Sequence, residues 1–355
     1  MHRAPLDPGI VSALASAVLF GASVPLAKIL TGQISPVLLA GLLYLGSGIG
    51  LLSLFAIGRW HRRGATGQAH PFTRKDTAWL GGAVLFGGII GPVLLMLGLA
   101  RTPAANASLL LNLEGVFTAL LAWVVFKENI DRRIAFGMLL ILIAGSLLVW
   151  PASLALGDVS GALMITAACG CWAIDNNLTR HVSIHDPLFV AGTKGLVAGL
   201  VNTGIALAMG NVLPSSPQLA LAGLLGFLGY GVSLALFVLA LRHVGAARTG
   251  AYFSLAPFIG AGVSLVLLHE SPGGLFWPAT GLMAVGIVLH LAERHQHLHT
   301  HVPLAHQHRH VHDAHHRHAH EFPWEGEEPH SHFHQHEPLQ HGHPHYPDIH
   351  HRHGH

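Results

Sequence analysis

Glu114 stands in the middle of a long apolar stretch, with Asn112 two residues before it and Asn106 two turns before it. Charging a carboxyl group at membrane depth costs on the order of several kcal/mol, so such a group needs a partner, water or a proton. That chemistry suits solute binding or proton carriage. The bland alternative is a structural carboxylate hydrogen-bonded between helices. Asp175 and Asn176, followed by Asn177, form a second polar group near the end of another apolar stretch, and Lys194 lies about two turns into the next one. Asp175 and Lys194 either serve a cavity or neutralise each other, as buried charges do in membranes. The asparagines serve equally as hydrogen-bond glue between helices. Tyr252 and Ser254 complete the set of candidates for a substrate cavity or a coupling site.

A second kind of chemistry is concentrated at the C-terminal end. From His295 to His355 histidine alternates with other residues, and this segment holds 23 of the 31 histidines. Imidazole is a common ligand of Ni, Co, Zn and Cu, and closely spaced histidines can wrap such an ion. The candidate ligands are His308, His310, His312, His315, His316, His318, His320, His332, His334, His336, His341, His343 and His345. Few apolar runs and six prolines, at 303, 323, 329, 338, 344 and 347, predict a disordered tail in the absence of a ligand. Divalent transition metal on this tail is the one cofactor in view, and none is required for the rest of the chain.

Other chemistries are poorly supported. Cys169 and Cys171, the two cysteines, are spaced i, i+2 and would point to different faces of a helix, so they read as small packing residues. No nucleophile–base arrangement or phosphate-binding loop supports an enzyme, and nothing points to nucleic acid.

The elements that must position these groups follow from composition. Hydrophobic residues make up 51% of the chain and charged residues 10%. Apolar runs of about 17–25 residues match the length a helix needs to cross a hydrocarbon core. They predict spans at 10–30, 37–57, 78–99, 104–126, 134–150, 159–180, 187–209, 217–241, 246–268 and 275–292. The first is too long for the apolar core of a cleavable signal peptide and is expected to remain as an anchor. Paired glycines such as Gly81-Gly82 and Gly87-Gly88 read as close helix contacts, and Gly87-Gly88 with Gly91-Pro92 reads equally as a flexible break. Lys and Arg cluster in alternate loops, from Arg59 to Lys75 and from Lys127 to Arg133, which places both termini in the cytoplasm. Lys28 and Arg101 are left at the outer ends, where Arg101 is expected to snorkel towards the headgroups.

The chain also repeats itself. Leu97–Glu128 can be laid on Leu239–Glu270 at a constant offset of 142: Ala104-Ala105 meets Ala246-Ala247, Leu113 meets Leu255, and Glu128 meets Glu270. With five helices per half, the second half enters the membrane upside down. An inverted pair builds both gates of an alternating-access machine, with the site near the midplane.

Each half resembles an EamA domain of the drug/metabolite transporter superfamily. The resemblance rests on a long penultimate helix ending in an acid, NLEGVFTALLAWVVFKE and SLAPFIGAGVSLVLLHE, followed by a turn and a Gly-containing last helix. It covers residues 10–292. Pro257 fits the family's preference for proline in the fourth helix of each half, whereas Gly115 stands at that place in the first half, so the two gates can differ in flexibility. The resemblance implies an all-α polytopic membrane protein of ten helices, with repeats at 10–150 and 158–292 and the tail at 293–355. It implies secondary transport of a small organic metabolite or drug-like solute, ion-coupled or by exchange, across the plasma (inner) membrane. The expected partners are the lipid bilayer and a small-molecule substrate, and a homodimer is possible. A metal-handling membrane protein, exporting an ion or anchoring a metal buffer, is the alternative.

Overall fold

The computed structural model describes residues 7–61, 72–126, 132–150, 159–182, 185–291, 296–300, 305–310, 330–335 and 340–344. It divides into two compact units, Met1–Ala292 and Glu293–His355.

The first unit is helical. Helix α1 (Pro8–Thr31) opens with Asp7, whose carboxylate accepts the Gly9 N–H at 2.7 Å, and with Pro8 at its first position. Helix α2 (Pro36–His61) follows. Helix α3 (Arg74–Ala83) starts at a capping box in which Thr73 and Asp76 satisfy each other's backbone N–H groups. It runs through a π-helical stretch, Val84–Ile90, into α4 (Gly91–Arg101). Then come α5 (Ala104–Leu110), α6 (Leu113–Phe126), α7 (Arg132–Val149), α8 (Ser160–Thr179) and α9 (Pro187–Ala208). Helix α10 (Ser216–Gly226) passes through a second π stretch, Phe227–Val232, into α11 (Ser233–Phe253), and α12 (Ala256–Leu267) and α13 (Phe276–Leu291) complete the unit.

Among the described residues, eight helices are long and apolar enough to cross a membrane. The expected spans 159–180 and 275–292 are not among them. Helix α13 is described over Phe276–Leu291, close to the expected bounds, and α8 carries Asp175, Asn176 and Asn177 in its last turns. The expected break between 241 and 246 is absent too, because α11 runs unbroken to Phe253. At the matching place in the first half the helix does break, at Thr102–Pro103. Proline there removes a donor and disfavours helix in the residue before it, whereas the residue at the same offset is Gly245.

The duplication is visible in local structure. The two π stretches begin 143 residues apart, at Val84 and Phe227, and the breaks after α5 and α11 fall at Leu111–Asn112 and Ser254–Leu255. Pro257 therefore sits in the first turn after a break, and Gly115 lies in the first turn of α6. Helix pairing is matched as well: α1 packs on α11 as α8 packs on α4, and α1 packs on α12 as α8 packs on α6. Helices α2 and α9 face each other through glycines, where a methyl group at Gly48 would meet the Leu196 backbone and one at Gly199 the Leu45 backbone. Such small residues let helices approach closely in lipid, where no hydrophobic effect drives them together.

A π turn leaves carbonyl groups without their usual helical donors. In the first stretch, side chains supply the replacements. The Tyr44 hydroxyl and the Trp172 indole N–H donate to the Gly87 carbonyl at 2.9 and 3.0 Å, and the Asn202 amide donates to Gly88 and Ile89 at 3.1 and 3.3 Å. The irregularity is thereby held in place from α2, α8 and α9.

The second unit is described over four short segments. Its described backbone forms two antiparallel ladders, β1 (Gln296–Thr300) with β4 (Gln340–Pro344) and β2 (Ala305–His310) with β3 (His330–Gln335). Histidine at every second position has the period of a strand. The prolines 303, 323, 329 and 338 fall between the strands, and Pro344 closes β4.

Candidate functional site

The break at Leu111–Asn112 ends α5 and starts α6, so Asn112 and Glu114 sit at the head of a new helix rather than within a continuous one. They face a cavity of about 280 Å³. The first half contributes Phe20, Asn112, Glu114 and Gly115 to its wall, and the second contributes Phe253, Ser254 and Pro257. The Phe20 and Phe253 rings are 5.5 Å apart.

Glu114 is half-buried and accepts a hydrogen bond from the Asn176 amide at 2.9 Å; the same amide donates to the Thr118 hydroxyl at 3.3 Å. Beside this pair, Lys194 donates to Asp175 at 2.6 Å, and the Thr179 hydroxyl donates to the other Asp175 oxygen at 2.8 Å. Asp175 is buried against Gly87 of the π stretch, where any side chain would displace it. The structure thus brings Glu114, Asn176, Asp175 and Lys194 together across helices α6, α8 and α9. The ion pair is the neutralising partnership foreseen as one of two readings, and Glu114 has an amide partner instead of a cation.

The other candidates divide. Asn112 donates to the Leu109 carbonyl at 3.1 Å and approaches the Met283 sulfur at 3.6 Å, while its side chain still lines the cavity. Ser254 lines the cavity and donates to Ala251 at 2.8 Å. Asn106 reaches the Leu148 carbonyl at 3.5 Å and lies outside the lining, as does Tyr252. Asn177 bonds to Ala173 and Thr118 carbonyls, which is the role of glue. Cys169 is buried and donates weakly to the Leu110 carbonyl, consistent with packing. Arg101 is exposed, with its guanidinium 3.1 Å from the Met164 sulfur.

Sequence reasoning overlooked Phe20, Phe253 and Thr118, because aromatic and hydroxyl residues in an apolar run look the same whether they face a cavity or lipid. It also left Glu270 without a partner. The Glu270 carboxylate accepts the backbone N–H groups of Ala104 and Ala105 at 2.7 and 2.8 Å, satisfying the start of α5. On the other side of the same break, Lys28 donates to the Leu99 and Thr102 carbonyls at 2.5 and 3.0 Å. The alignment of Glu270 with Glu128 and the break at Pro103 were the available signals.

In the tail, His308, His310, His332, His334, His341 and His343 lie on the ladders, whereas His312, His315, His316, His318, His320, His336 and His345 lie outside the described residues. The register sets His306 opposite His334, His308 opposite His332 and His310 opposite His330. In the other ladder His297 opposes His343 and His299 opposes His341. Four of these, His297, His299, His306 and His330, were not among the candidate ligands.

Comparison with known proteins agrees with the membrane unit. A solved crystal structure 20% identical to the chain superposes with a TM-score of 0.57, covering 79% of this chain and 95% of the other, which supports the fold alone. An uncharacterized transporter of Methanothermobacter thermautotrophicus is 30% identical over 275 residues, spanning 74% of this chain and 80% of the relative. A probable 4-amino-4-deoxy-L-arabinose-phosphoundecaprenol flippase subunit, ArnE, of Pseudomonas fluorescens is 38% identical over 95 residues, 27% of this chain and 78% of that protein. The model of the EamA-like transporter family matches twice, at residues 7–150 and 159–292, so both halves of the membrane unit carry it. With its apolar spanning helices and its paired halves, the chain is an integral membrane protein that belongs to the EamA-like transporter family.

Proposed function

We propose that the protein is a secondary transporter that moves a small organic solute by alternating access, with Glu114 as the coupling carboxylate. The observation that carries this reading is a cavity walled by both halves, with one mid-span acid opening into it. Ten helices as two inverted five-helix repeats would place that cavity on the symmetry axis, and the matched helix pairing supports this arrangement. The positive residues favour a plasma (inner) membrane protein with both termini cytoplasmic. Reconstituted into proteoliposomes, Glu114→Gln should abolish gradient-driven flux and, at saturating solute, leave counterflow exchange largely intact. Equal loss of both at saturating solute in a normally folded variant would assign Glu114 a structural role instead.

A second reading is favoured by the tail. The register sets histidine opposite histidine at three alternate positions of one ladder, and closely spaced imidazoles are ligands for transition metals. We propose that the tail binds Ni, Co, Zn or Cu. Whole-cell metal accumulation with and without residues 295–355 tests whether metal handling is the task. Unchanged metal content and tolerance on loss of the whole gene would remove that reading.

A further inference from the structure

The cavity's chemistry reaches beyond transport as such to the charge of what is carried. We propose that the substrate is an organic cation, with its charge against Glu114 and its apolar part against Phe20 and Phe253. This rests on the transporter reading given above.

Three observations carry it. Among the described residues, Glu114 is the one ionisable side chain in the cavity lining; α1, α7, α11, α12 and α13 contribute aromatic, aliphatic, glycine, proline or hydroxyl groups. The charged groups facing Glu114 from neighbouring helices are Asp175 and Lys194, and these are joined to each other at 2.6 Å. Two carboxylates against one ammonium leave the cluster with one negative charge in excess when Glu114 is ionised. The other titratable neighbours, the Tyr44 hydroxyl and the Cys169 thiol, supply no positive charge.

The uncharged polar groups point the same way. The Asn112 amide nitrogen is engaged by Leu109 and Met283, which leaves its carbonyl oxygen as an acceptor. The Ser254 hydroxyl gives its proton to Ala251 and likewise presents an acceptor. An anion, or the carboxylate of a zwitterion, would meet acceptors and a negative charge. An ammonium group meets partners.

The rings supply the rest. Phe20 packs on Phe253 at 5.5 Å and on Tyr230 at 5.9 Å, Tyr230 packs on Tyr44 at 5.9 Å, and Phe237 packs on Phe253 at 4.9 Å. Aromatic faces attract a desolvated cation. A proton and an organic cation then compete for one carboxylate: binding the cation releases the proton from Glu114, and departure of the cation allows it to return. Mutually exclusive occupancy of this kind couples two opposed fluxes.

The test uses the purified full-length protein in buffer containing EDTA, with phenyltrimethylammonium and benzenesulfonate as probes of similar shape and opposite charge. Calorimetry should show binding of the cation and none of the anion, with proton release that grows and affinity that falls as the pH is lowered in weak buffer. Glu114→Gln should weaken cation binding about tenfold or more and abolish proton release, while Glu114→Asp should keep both. Phe253→Leu, which leaves the charge in place, should weaken binding about threefold. Equal or tighter binding of benzenesulfonate, or cation binding indifferent to Glu114→Gln, would overturn the proposal. Flux of neutral or anionic solutes without cation binding would overturn the cation site and leave the transport reading standing. Cation binding with no solute flux of any charge class in proteoliposomes would overturn transport and leave the site.

Discussion

Removing the Glu270 carboxylate should loosen the start of α5 by an amount that the geometry sets. Its two oxygens take the N–H groups of Ala104 and Ala105 at 2.7 and 2.8 Å, so Glu270→Ala strands two donors that the helix itself cannot satisfy. Hydrogen bonds to a charged group contribute about 1.5–3 kcal/mol each. Taking the lower figure for both, because the site lies at a helix end reachable by water, the loss is about 3 kcal/mol, or roughly 100-fold in the local opening equilibrium. Glu270→Gln keeps one acceptor oxygen and should lose about half, near tenfold. Hydrogen exchange followed by mass spectrometry reads this directly. Peptides covering 103–110 should exchange faster by about those factors, Ala more than Gln, while peptides within α11 stay unchanged. Unaltered exchange at 103–110 in Glu270→Ala would show that the carboxylate does not hold the break closed.

Asp175→Asn should strand the Lys194 charge beside α8 and cost about 3–5 kcal/mol, read as a lower melting temperature in detergent; adding Lys194→Met should recover most of it. Asn202→Leu removes the donor to Gly88 and Ile89 and should destabilise by about 1–3 kcal/mol, seen as faster exchange across residues 84–91. His269, at φ 52° just after α12, should tolerate glycine, with His269→Gly raising stability by about 1 kcal/mol in a thermal melt. Deleting 293–355 should abolish Ni or Zn binding in equilibrium dialysis while leaving solute flux in proteoliposomes unchanged.

Much of the fold could be read from residue types because membrane depth makes polarity expensive. Glu114, Asn176, Asp175 and Lys194 stood out for that reason, and three helices bring them together. Apolar runs located the helices but not their internal breaks. Pro103 marks one break, whereas Leu111–Asn112 and Ser254–Leu255 carry no proline or glycine at the turn itself and look like continuous helix. The cavity's aromatic wall was hidden for a related reason: Phe20 and Phe253 have the same hydropathy facing a solute as facing lipid. In the tail, the two-residue histidine period is that of the described strands, while the prolines mark only where helix cannot continue.

The paired π stretches also carry a history. A π turn is one residue more than the helix needs, and it stands at almost the same offset in both halves, 84–90 and 227–232. A single insertion in the ancestral half-length gene, before that gene was doubled, accounts for both. The interruption at Thr102–Pro103 has no counterpart in α11, so one of the two halves changed there after doubling. The irregularity they share is thus common inheritance, and the one that separates them marks where the copies diverged.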